Sequence, residues 1–158
     1  MLRELQAEYG RHVRAAGNEP RLLAAVLFLA TFVGIRIVTH AIRGGIGPHF
    51  NVEPGGIHVH HMIPGLLLLL LSGLLDLSGR AMLARSALFG VGAALVLDEF
   101  ALILNLADVY WQPQGRESID AVVIMAAVLI IIGLGAGFWR AALSVAARYL
   151  GRRAAMRR

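Results

Sequence analysis

Apolar residues along the chain fall into four long blocks separated by short polar stretches. They run from Leu22 to Ile42, from His58 to Leu77, from Ser86 to Leu106 and from Ile119 to Leu143. A helix needs about 20 mainly apolar residues, at about 1.5 Å each, to cross a bilayer. The pattern therefore predicts an all-α, polytopic membrane protein with four transmembrane helices, over 22–42, 58–77, 86–106 and 119–143, in a single membrane domain spanning 1–158. Residues 1–19 form a leader with Leu2, Leu5, Tyr9 and Val13 at helical spacing opposite Arg3, Arg11 and Arg14. That spacing predicts a short helix lying on the membrane surface. Gly17-Asn18-Glu19-Pro20 breaks it, with Asn18 placed to cap the next helix and Pro20 in its first turn. The leader is too long and polar for a cleavable signal peptide.

Composition agrees with this reading. The chain is 58% hydrophobic with mean hydropathy +0.68, against roughly 45–50% apolar in soluble domains. It has no cysteine, which excludes disulfides, thiolate metal sites and a cysteine nucleophile. All fifteen basic residues are arginine. They flank the apolar blocks, so positive-inside topology explains them better than nucleic-acid binding, and no nucleic-acid partner is expected. Twelve of the fifteen fall on one side: before the first block, between the second and third, and at or after the end of the fourth, including the basic tail 144–158. Both termini are therefore expected in the cytoplasm, with membrane lipids as partners of the tail.

That topology assigns each polar residue a depth. Asp98 lies about 18 Å into the third block, past the midplane. Arg36 and His40, four apart on one face of the first block, fall in the outer half. His58, His60 and His61 lie just within the outer surface, and Asp120 begins the fourth block there. Gly90, Ala94, Asp98, Ala101 and Asn105 form one small-and-polar stripe that should face other helices. Glu99 is turned about 100° from Asp98 on a regular helix. Arg36 is the natural partner for Asp98 or Glu99, because an unpaired guanidinium at that depth is expensive. Pro64 cannot sit inside a regular helix without disturbing the carbonyl of His60, so the histidine segment is either a distorted first turn or a short re-entrant stretch.

Polar groups in hydrocarbon usually pair, face a protein interior or bind something. Imidazoles with carboxylates suit a divalent transition metal such as zinc or iron. The expected ligands are His58, His61 and Asp98, with Glu99 and His60 as candidate catalytic groups and Arg36, His40 and Asp120 in support. A metal with an open position there could activate water for hydrolysis. Two other readings stand beside it. One is a salt-bridge and hydrogen-bond network in a structural or accessory membrane subunit. The other is a proton or ion relay, which with four spans would need a homo-oligomer. Gly133 to Gly137 resembles a nucleotide loop only superficially and reads as helix packing. Ser72 and Ser86 lack a His/Asp arrangement for nucleophilic catalysis. Tyr110-Trp111 reads as an interfacial anchor, and Asp76 as solvated or paired with Arg80.

The segments GIHVHHMIPG and LDEFALILNLADVYW resemble those of a family of small bacterial integral membrane proteins that carry an HxHH segment before one span and LDEFAL in the next. The likeness covers roughly residues 35 to 125. It implies a bacterial plasma-membrane location and marks His58, His60, His61, Asp98 and Glu99 as the defining positions. It implies no reaction.

Overall fold

The computed structural model describes residues 13–46, 60–79 and 81–133. Helix α1 is Glu19–Arg43, α2 is Met62–Leu77, α3 is Met82–Asp98 and α4 is Phe100–Asn105. A short 3-10 turn, Pro113–Gly115, leads into α5, which occupies 116–133. No strand occurs among the described residues. The leader residues 1–12, His58 and the basic tail lie outside them.

The all-α expectation holds, but four uninterrupted spans do not. Among the described residues only α1 is both long and apolar enough to cross a membrane. Just 17% of its most apolar window is buried, unlike the core helix of a soluble protein. Helix α2 has 16 residues, about 24 Å. Pro64 explains its late start, because a proline is tolerated only in a helix's first turn. His61 is the residue at its N-cap, and the His60 carbonyl accepts from the Ile63 N–H. The third block is helical from Met82 to Asn105 but breaks at Glu99, whose φ of −109° and ψ of 20° leave the helical region. Ala101 N–H, freed by the break, donates to buried Ser118 Oγ at 2.9 Å.

Contacts along the helices fix their directions. Ala24 lies against Gly90 and Arg36 against Asp98, so α1 and α3 run parallel. Ser72 Oγ donates to the Arg85 carbonyl while Gly65 lies against Gly92, so α2 runs antiparallel to α3. Ser118 meets Ala101 and Gly133 approaches Arg21, so α5 is antiparallel to both α1 and α3. The result is an up-down-up-down bundle with α3 packed between α1 and α2. The small-residue stripe makes this possible. A Cβ on Gly92 would lie 2.8 Å from the Gly65 carbonyl oxygen, and one on Gly90 would strike the Ala24 backbone. Ala25, Phe28, Ala93, Ala94, Val122 and Leu129 form the core. Asn105 leaves the stripe: it stands at the exposed last position of α4, and its amide reaches the Ala101 carbonyl and Glu117.

One local expectation is corrected and one is met. Asn18 stands at the N-cap of α1, with Pro20 in the first turn, but its side chain makes no capping bond. Its Oδ1 instead accepts from Arg21. Asp76 is solvated, its side chain 71% exposed, and it pairs with Arg85 of α3; Arg80, the other expected partner, lies outside the described residues.

Candidate functional site

The end of the bundle where α1 and α3 finish and α2 begins gathers the polar residues. Asp98 is fully buried and Glu99 is 4% exposed. On an unbroken helix they would point about 100° apart. The break after Asp98 lets both carboxylates face the same neighbours.

Asp98 is met from three segments. Arg36 Nε of α1 lies 2.6 Å from Oδ1. The contact is ionic: neither atom makes a hydrogen bond. On Oδ2, Tyr110 from the α4–α5 connection donates its hydroxyl at 2.7 Å, and His61 Nε2 lies at 3.0 Å. The Arg36 guanidinium is also flanked by the Phe32 and Tyr110 rings, at 5.4 and 4.9 Å, a cation–π arrangement that stabilises a desolvated cation.

Glu99 does different work. Its Oε2 accepts the Met62 N–H at 2.7 Å, and its Oε1 lies 2.8 Å from His60 Nδ1. A residue at the end of α3 thus caps the start of α2, where orphan N–H groups and the helix dipole favour a negative charge. His61 Nδ1 is 3.5 Å from the same Oε2, so His61 sits between the two carboxylates. Two buried carboxylates against one guanidinium leave a negative charge for the imidazoles and the α2 N-terminus to offset.

Tyr110 extends the network outward. Thr39 Oγ1 lies 3.2 Å from its hydroxyl. Burial pushes the phenol well above its ordinary range, and the Asp98 carboxylate adds to that shift against the contact with the Thr39 hydroxyl. Tyr110 therefore stays protonated, a donor to Asp98.

The expected members divide as follows. Arg36, His60, His61, Asp98 and Glu99 come together. His40 lies near but turns aside, with Nδ1 2.8 Å from the Arg36 carbonyl and its ring edge-on to Trp111. Asp120 does not join: it is exposed on α5, because the inward face there belongs to Ser118 and Val122. His58 lies outside the described residues. Tyr110 and Ser118 were missed. A phenol beside an apolar block needs a partner for its hydroxyl, which was the available signal for Tyr110; Ser118 carried none. Trp111 sits under the Arg43 guanidinium at 4.2 Å.

Among the described residues no group of three or more His, Asp or Glu is arranged to hold a metal ion. The donor geometry gives the reason. Both His61 nitrogens face carboxylates, and the oxygens of Asp98 and Glu99 already take a guanidinium, a phenol, imidazoles and a backbone amide. A metal ligand must offer a lone pair, and the carboxylate lone pairs here are taken up by those partners. The chain matches no known family, no curated protein and no solved structure.

Proposed function

We propose that this chain is a multi-pass protein of a bacterial plasma membrane, with both termini cytoplasmic, and that its polar cluster is a structural network locking the helices together near the outer leaflet. In this reading it is a structural or accessory membrane subunit, with lipids and a second copy or another membrane protein as partners. One observation carries it: fully buried Asp98 is bonded by residues from three separate segments, Arg36, His61 and Tyr110. Membrane embedding is supported by the outward apolar faces. Leu67, Leu70 and Leu74 of α2 and Ile124 of α5 are each more than 60% exposed, and soluble monomers rarely expose contiguous patches of that kind. Broken and shortened helices are tolerated in membranes where the freed backbone groups are satisfied internally, as Ala101 and Met62 are here.

The test is a double-mutant cycle on detergent-purified protein with Arg36→Met and Asp98→Asn, read by thermal unfolding beside elemental analysis. A coupling of about 1–3 kcal/mol between the two sites is expected, as for residues in one network. Additive losses would remove the structural reading. Stoichiometric zinc or iron, lost in a His58→Ala/His61→Ala variant, would replace it with the metal reading. A second reading has one specific observation in its favour: Thr39, Tyr110, Asp98, His61, Glu99 and His60 form an unbroken series of polar contacts, the form a proton relay takes. Proton flux in proteoliposomes that is abolished by His60→Ala would favour the relay.

A further inference from the structure

The opposite end of the bundle holds a groove that the cluster does not explain. It lies between the start of α1, the end of α2, the start of α3 and α5, with a volume of about 530 Å³. That is within the roughly 300–1,000 Å³ of ligand sites. Its walls include Leu69, Phe89, Leu129 and Ile132, and its polar rim holds Arg21, Arg85 and Asp76. Two guanidiniums against one carboxylate leave a net positive rim over an apolar slot. Helices α1 and α3 both begin at this end, without side-chain caps, so their positive dipole ends add to the field. The prior contacts leave capacity for a ligand. Each guanidinium carries five N–H donors. Arg21 uses one on Asn18, and Arg85 uses one on Asp76.

We propose that this groove binds one anionic phospholipid of the inner leaflet, with the phosphate on Arg21 and Arg85 and an acyl chain against Leu69, Phe89 and Ile132. The proposal rests on the membrane reading above. Each half of the site selects against a different competitor. The apolar slot gives a free phosphate nothing to fill it, and the net positive rim disfavours a zwitterionic headgroup, whose ammonium group would meet two arginines. Basic pockets between helices on the cytoplasmic side are the recurrent form of such sites.

Gly73 supplies a clean probe. It lies on the groove, a Cβ there meets nothing within 4 Å, and replacing a mid-helix glycine favours the helix. Gly73→Leu should therefore fill the slot without harming the fold. The full chain, purified in detergent, is offered dioleoyl phosphatidylglycerol or dioleoyl phosphatidylcholine, and bound lipid is counted by native mass spectrometry. Phosphatidylglycerol should be retained about fivefold more than phosphatidylcholine, the effect of one basic contact at an anionic surface. That preference should fall to near unity in Arg85→Gln, which leaves Arg21 and Asp76 to make a neutral rim. Gly73→Leu should lose both lipids, with its helical circular dichroism and melting temperature kept or raised. Millimolar inorganic phosphate should not compete. Equal retention of the two lipids, indifference to both variants, or displacement by phosphate would overturn the site. Recovery of the wild-type chain from cells in the soluble fraction without detergent would instead overturn the membrane reading. A membrane-bound chain without lipid preference would sink this proposal alone.

Discussion

Among the described residues two cross-helix Arg–Asp pairs stand one at each end of the bundle, chemically alike but physically different. Arg36 and Asp98 join α1 to α3 with the aspartate fully buried. Arg85 and Asp76 join α3 to α2 with the aspartate side chain 71% exposed. Water screens the second pair and supplies alternatives when it breaks, so exposed pairs contribute about 0–1 kcal/mol. The first has no such alternative. Removing one partner leaves the other charged and desolvated, at a cost of about 3–5 kcal/mol. Burial, and not the presence of an ion pair, decides which end of the molecule holds it together. The Asp76 end is correspondingly open, and that is where the groove lies.

The comparison can be broken most directly at Asp98. Asp98→Asn should lower unfolding stability by about 3–5 kcal/mol, measured by thermal or denaturant melts in detergent. A loss below about 1 kcal/mol would mean the Arg36–Asp98 pair is no more important than the Arg85–Asp76 pair. Glu99→Gln should cost less, about 1.5–3 kcal/mol for a hydrogen bond to a charged group, because the amide oxygen can still accept from Met62 N–H. Hydrogen exchange should localise that loss to the first turn of α2; uniform loss across the bundle would contradict a capping role for Glu99.

Tyr110→Phe should cost about 1 kcal/mol at neutral pH. It also carries a pH signature. The folded phenol titrates above its ordinary value near 10. The folded state then holds its proton where the unfolded state releases it. Stability should fall as pH rises past about 10, and the phenylalanine variant should lack that component. Phenolate absorbance reports the same thing: one of the three tyrosines should resist ionisation until the protein unfolds. All three ionising together in folded protein would remove Tyr110 from the buried network. The smallest effect is expected at the exposed pair, where Asp76→Asn should change stability by less than about 1 kcal/mol. A larger change would erase the contrast between the two ends.

Much of the Asp98-Glu99 cluster was legible because the physics of a buried charge is severe. A guanidinium at Arg36 in an apolar block requires a carboxylate, and Asp98 on a stripe of small residues is where one could be met. The stripe Gly90, Ala94, Asp98 and Ala101 is buried as its spacing required. Asn105 and Asp120 stand outside the cluster for separate reasons: Asn105 turns its amide to the Ala101 carbonyl and Glu117, and Asp120 lies on a helix whose inward face belongs to Ser118 and Val122. The third block also breaks at Glu99. No residue near Glu99 announces that break. It is stabilised from outside the segment by Ser118 on α5 and by the N–H of Met62 at the start of α2. The shortness of α2 was legible from Pro64, whose ring limits it to a first turn.

By itself the sequence determined that this is an all-helical chain, that α1 is apolar enough to cross a membrane, and that Arg36, the histidine segment and the Asp98-Glu99 pair must find partners. Each of those follows from local or one-dimensional constraints: the apolar period, proline geometry, and the cost of an isolated charge. Only the tertiary structure decided who partners whom. Tyr110 and His61 share Asp98 Oδ2, Glu99 caps a helix it is not part of, and Asp120 stays outside. These outcomes depend on where one helix ends relative to another to within a few ångströms. A hydrogen bond is decided at that scale, and spacing along a chain does not set it.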